Sequence, residues 1–78
     1  MISYEVALEK AKKLKENIDN VMEYENGWVF GFYDDSNYIG GYGHTPVVIL
    51  KNDGKATNMP QFVADGTGEH IRSFDIDY

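Results

Sequence analysis

Apolar side chains recur at spacings of three and four through the first twenty residues: Tyr4, Ala7, Leu8, Ala11, Leu14 and Ile18. That period lays them along one stripe of a helix over roughly residues 4–19. Ser3 stands where a hydroxyl can accept from an early backbone N–H and cap the helix. Glu9 with Lys13, and Lys12 with Glu16, fall at i,i+4 on the solvent side, each pair contributing about 0.2–0.5 kcal/mol. Asn17, Asp19 and Asn20 then weaken the helix. From Val21 the period falls to two, and residues 21–25 read as a strand in which Glu23 and Glu25 share a face. Asn26-Gly27 is a hairpin signal, because both residue types tolerate positive φ.

Residues 28–33, Trp-Val-Phe-Gly-Phe-Tyr, form a β-branched and aromatic run. Trp28, Phe30 and Phe32 share the core face, with Val29 and Tyr33 on the other and Gly31 between them. Asp34 to His44 reads as a loop. A strand over 46–51 follows, its four consecutive apolar residues Val47–Leu50 asking for burial on both faces. Asn52-Asp53-Gly54 makes the next turn. A weaker strand over 55–59 stops at Pro60, and 61–68 reads as a flexible connection ending in Gly66-Thr67-Gly68. Ile71, Phe74 and Ile76 suggest a last short strand over 70–76 or an ordered tail. The expected fold class is α+β: one domain over 1–78, with one N-terminal helix packed on an antiparallel sheet of four to five strands.

Composition narrows the classes. Seventy-eight residues allow one core that buries about 60–65% of the unfolded chain's surface. The apolar content of 42%, with 14% aromatic, is too high for a disordered chain. The absence of cysteine removes disulfides, thiolate metal sites and thiol nucleophiles. No apolar run approaches the roughly 20 residues a membrane span needs, and no basic stretch precedes an apolar one at the start. A cytoplasmic protein is expected.

Charge is unevenly placed. Lysines and acids balance over residues 1–20, whereas 21–78 carry three cations against nine acids, so the whole net charge of −6 falls there. Such a surface repels nucleic acid and speeds encounter with a basic protein. Acidity that serves only to keep a small protein dispersed accounts for it equally well.

Catalytic and cofactor signals are thin. Gly40-Gly41-Tyr42-Gly43-His44 lacks the Gly-Lys-Ser/Thr ending and the following helix of a phosphate loop. His44 and His70 are not at a metal-binding spacing from one another. Asp34-Asp35-Ser36-Asn37 has no bidentate glutamate where a calcium loop needs one. Mutual repulsion between Glu23 and Glu25 would raise a pKa, but a solvated strand face explains them more simply. No serine or threonine sits in a nucleophile-elbow context. The expectation is a protein that is not an enzyme and needs no cofactor or metal.

Aromatics are abundant, with six tyrosines, four phenylalanines and one tryptophan. Tyr33, Tyr38 and Tyr42 cluster in and around the glycine-rich loop beside Asp34 and Asp35. Tyrosine joins a rigid apolar body to a polar tip and is enriched at protein interfaces. Tyr33, Asp34, Asp35, Tyr38, Tyr42 and His44 are therefore the expected partner-binding residues, with ordinary loop packing as the competing explanation.

Three segments together resemble the YrhB-domain family, also called the immunity protein 35 family, of small bacterial proteins. They are the helix opening Ile2-Ser3-Tyr4-Glu5-Val6-Ala7-Leu8-Glu9-Lys10-Ala11, the strand Asn26-Gly27-Trp28-Val29-Phe30-Gly31-Phe32-Tyr33, and Pro46-Val47-Val48-Ile49-Leu50-Lys51-Asn52-Asp53-Gly54-Lys55 after the glycines. The likeness covers roughly residues 2–56. It implies a non-catalytic immunity protein that neutralises a cognate bacterial toxin, for which a basic toxin domain suits the charge. The alternatives are a chaperone-like role, or a self-associating structural protein whose strand edge pairs with another copy in a homodimer.

Overall fold

The computed structural model describes residues 1–15, 17–32 and 46–76. Its elements run α1 (Tyr4–Leu14), β1 (Asn20–Tyr24), β2 (Gly27–Gly31), β3 (Val47–Leu50), β4 (Ala56–Asn58), α2 (Met59–Asp65) and β5 (His70–Asp75). The strands form one antiparallel sheet in the order β4-β3-β2-β1-β5. This is the α+β architecture expected, with a second helix added.

Ser3 caps α1 as anticipated, its hydroxyl accepting from the Val6 N–H at 3.3 Å. The helix stops five residues short of the expected end. Lys15 is already extended, and its N–H makes the last helical bond, to the Ala11 carbonyl at 2.8 Å. By Asp19 the backbone belongs to the sheet: the Asp19 N–H donates to the Gly31 carbonyl, and the Ile76 N–H donates to the Asp19 carbonyl, both at 2.9 Å. Leu14 is consequently 59% exposed, whereas Ile18 is 1% exposed. Ile18 reaches the core from the chain between α1 and β1, not from the helical stripe.

Alternation along the strands sorts their side chains onto two packed faces. On the α1 face, Ala7 and Ala11 meet Ile18, Val21, Trp28, Phe30 and Ile49. The ring of Tyr4 sits among Trp28, Phe30 and Phe74, with centroids 6.2, 6.2 and 5.4 Å away. On the other face, Phe62 of α2 covers Val29 and Val48, flanked by Met22, Tyr24, Leu50 and Met59. Val29, expected on the outer side, is fully buried there. The apolar run of β3 divides as predicted, Ile49 beneath α1 and Val48 beneath α2.

α2 replaces what reads in sequence as a strand end and a flexible connection. The Asn58 Oδ1 accepts from the Gln61 N–H at 2.8 Å, and Pro60 sits in the first turn, where a missing N–H costs nothing. Pro60 thus opens a helix instead of merely ending a strand.

The hairpin also differs from expectation by one residue. Its two-residue turn is Glu25-Asn26, with Tyr24 paired to Gly27, and neither turn residue has positive φ. Gly27 belongs to β2 because of close packing. A Cβ there would lie 2.9 Å from the Ile49 carbonyl oxygen and 3.2 Å from the Phe62 ring.

Candidate functional site

Tyr33, Asp34, Asp35, Tyr38, Tyr42 and His44 lie outside the described residues. Their flanks are placed: Phe30 pairs with Val47, so β2 ends and β3 begins at the same end of the sheet. The opposite end, where β1 turns into β2, carries the most elaborate polar arrangement among the described residues.

Five hydrogen bonds fix that turn. The Glu25 N–H donates to the Glu69 carbonyl (3.0 Å), the Glu69 N–H returns to a Glu25 carboxylate oxygen (3.0 Å), and the Asn26 N–H donates to the Thr67 carbonyl (3.1 Å). The Asn26 side-chain amide donates to the Gly66 carbonyl, and the Lys51 N–H to the Asn26 carbonyl, both at 3.0 Å. Gly68 makes this approach feasible. Its φ is +74°, and a Cβ there would fall 2.6 Å from that of Glu25. A groove of about 350 Å³ results, with Met1 and Leu50 as apolar lining and Glu25, Asn26 and Asp65 among its polar lining. Glu25, Asp65 and the neighbouring Glu69 are all exposed.

Beside the turn, on the α1 face, Glu23 holds two cations. The Lys51 ammonium is 2.6 Å from one carboxylate oxygen and the Arg72 Nε is 2.7 Å from the other. Glu23 and Lys51 side chains are only 14% and 11% exposed. Lys51 also lies 5.0 Å from the centre of the Trp28 ring, and Arg72 4.9 Å from that of Phe74, both within cation–π range. The hydrogen bond from Lys51, reinforced by Arg72 and opposed by burial, holds the Glu23 carboxyl below its ordinary value of 4.5. This corrects the expectation of two solvated, mutually repelling glutamates. Glu23 is ion-paired under Trp28, while Glu25 leaves the strand at the turn and accepts from backbone.

The consequence for chemistry is direct. A carboxylate kept ionised by two cations is a poor proton carrier near neutral pH, so Glu23 fastens the sheet. His70 stacks edge-on against Tyr24 (5.3 Å between centroids) and shares a hydrogen bond with the Ser73 hydroxyl at 2.8 Å. Among the described residues no group of three histidines or acids is placed to hold a metal ion. No described helix is long and apolar enough to cross a membrane. A second groove, of about 530 Å³, runs between α1 and β3–β4 with Lys10, Lys13 and Lys55 on its rim.

Sequence reading missed the turn end because its parts are far apart in the chain. Glu25 and Glu69 are 44 residues apart, and Glu23 and Arg72 are 49. One signal was available. Residues 21–78 contain only Lys51, Lys55 and Arg72 as cations, and a half-buried strand glutamate had to recruit from those three. No protein-family model, curated protein or solved structure matches this chain.

Proposed function

We propose that the chain is a non-catalytic protein-binding module of the immunity type, which docks a basic protein, a bacterial toxin domain, and blocks it by occupation. The observation that carries this is the turn end itself. Glu25 and Asp65 stand exposed on a groove that Met1 and Leu50 also line, with exposed Glu69 bonded to Glu25 beside it, on backbone held by five cross-bonds. Docking on prefixed backbone avoids part of the ordering cost of association. A net charge of −6 raises the encounter rate with a cationic partner and disfavours nucleic acid. Lys51, which also lines the groove, and Arg72 are engaged by Glu23 and oppose a basic partner less than free cations would. The resemblance to immunity proteins supplies the class of partner. The tyrosine-bearing segment from Tyr33 to His44, outside the described residues, is the second docking candidate.

The test is co-expression with each basic toxin domain that a survey of this chain's gene neighbourhood finds. Restored growth with the wild type, and its loss in a Glu25→Lys/Asp65→Lys variant that still folds, is the expected result. Growth arrest regardless of the wild-type chain refutes the reading.

A further inference from the structure

The sheet ends at β4 on one side and at β5 on the other. β4 is only three residues long, which protects an edge by brevity, whereas β5 has six residues, five with exposed side chains. Backbone groups alternate sides along an antiparallel strand. The Ile76 N–H donates to Asp19 on the β1 side. Stepping back by twos, Phe74 and Arg72 also face β1, opposite Val21 and Glu23. The backbone N–H and carbonyl of Ser73 therefore point away from the sheet, and among the described residues no strand lies beyond β5.

We propose that β5 pairs antiparallel with β5 of a second copy of this chain, about a two-fold axis through Ser73, joining two five-stranded sheets into one. An axis normal to the sheet keeps equivalent faces together and can pass through a hydrogen-bonded or a non-hydrogen-bonded pair. Of the non-hydrogen-bonded choices, Arg72 would oppose two guanidinium groups and Phe74 would shorten the pairing, whereas Ser73 gives a hydrogen-bonded pair and uses the whole strand. An axis at Asp75 would oppose two carboxylates. One at Ile71 would run the pairing onto the 66–69 connector, whose backbone already bonds Glu25 and Asn26. With the axis at Ser73, each Arg72 stands opposite the second copy's Phe74, matching the cation–π contact each already makes within its own chain at 4.9 Å. Ile71, the half-exposed extra residue where the β1–β5 register shifts, gains cover. The pairing uses a surface separate from the acidic turn groove and stands independently of the toxin reading. Salt tells them apart: two chains of charge −6 repel, so this dimer tightens as salt screens them, whereas a basic partner binds more weakly.

The chain has no cysteine, so a Ser73→Cys variant reports the axis cleanly. Opposed Cα atoms about 5.5 Å apart suit a disulfide. Under mild oxidation Ser73→Cys should cross-link at least about tenfold faster than an Asp53→Cys control on the Asn52–Gly54 turn. Sedimentation of the wild type should show a dimer that strengthens with salt, and Ser73→Pro, which removes an outward N–H together with the exposed hydroxyl that meets His70, should be monomeric with an unchanged circular dichroism spectrum. A wild type monomeric at millimolar concentration, a dimer indifferent to Ser73→Pro, or equal cross-linking of the two cysteine variants overturns the proposal. Should Ser73→Pro fail to fold, the cysteine comparison decides alone.

Discussion

At the scale of single residues, Glu23 shows how three-dimensional context sets the chemistry of a carboxylate. Two acids two apart on one strand imply repulsion and a raised pKa. Fold placement instead gives Glu23 a lysine and an arginine, and the sign reverses. Because its folded pKa lies below the unfolded value of 4.5, the ion pair's stabilisation is complete above that value and is lost as pH falls through the folded one. Replacing Glu23 by Gln should cost about 1–3 kcal/mol at neutral pH, because Lys51 is left buried without its counter-charge. The gap between wild type and Glu23→Gln in urea titrations should be full above the unfolded value of 4.5 and close as the pH falls below it. A gap that widens on acidification would mean that the carboxylate is not held by its cations. Gly68 is a second residue-level constraint. A Gly68→Ala change should destabilise by more than about 1 kcal/mol, having both a positive φ and a collision with Glu25 against it.

Elements follow local rules until the sheet or a helix claims the backbone. The helical stripe from Tyr4 to Ala11 was legible because capping and periodicity agree there. Its extension to Ile18 was not, since Ile18 satisfies the period while belonging to the non-helical chain leading into β1. The two apolar residues should behave differently: Leu14→Ala within about 0.5 kcal/mol of wild type, Ile18→Ala down by about 2–4 kcal/mol in thermal or chemical denaturation. Similar losses at both positions would restore the longer helix. α2 was hidden because Pro60 reads as a stop and seven residues are too few for a period to emerge. Its start signal, Asn58 with Pro60 two residues later, is visible in retrospect as a cap. Phe62 carries the packing of that helix, and Phe62→Ala should cost about 3–5 kcal/mol by opening the face over Val29 and Val48. A loss below about 1 kcal/mol would show that α2 is dispensable.

For the molecule as a whole, strand count, antiparallel pairing and the burial of β3 on both faces were legible, because each rests on alternation over neighbouring residues. The acidic turn end was not, because it is assembled from residues 25–26, 50–51 and 65–69, which only the closed sheet brings together. The tyrosine-bearing segment from Tyr33 to His44 lies outside the described residues. The most direct test measures the association rate of this chain with the basic protein partner that the proposed function requires, across salt from about 0.03 M to about 0.3 M. The rate should fall steeply for the wild type, Glu25→Gln/Asp65→Asn should flatten that dependence, and Asp34→Asn/Asp35→Asn should flatten it less. A wild-type rate indifferent to salt, or a slope that neither pair of substitutions changes, would contradict an acidic docking face.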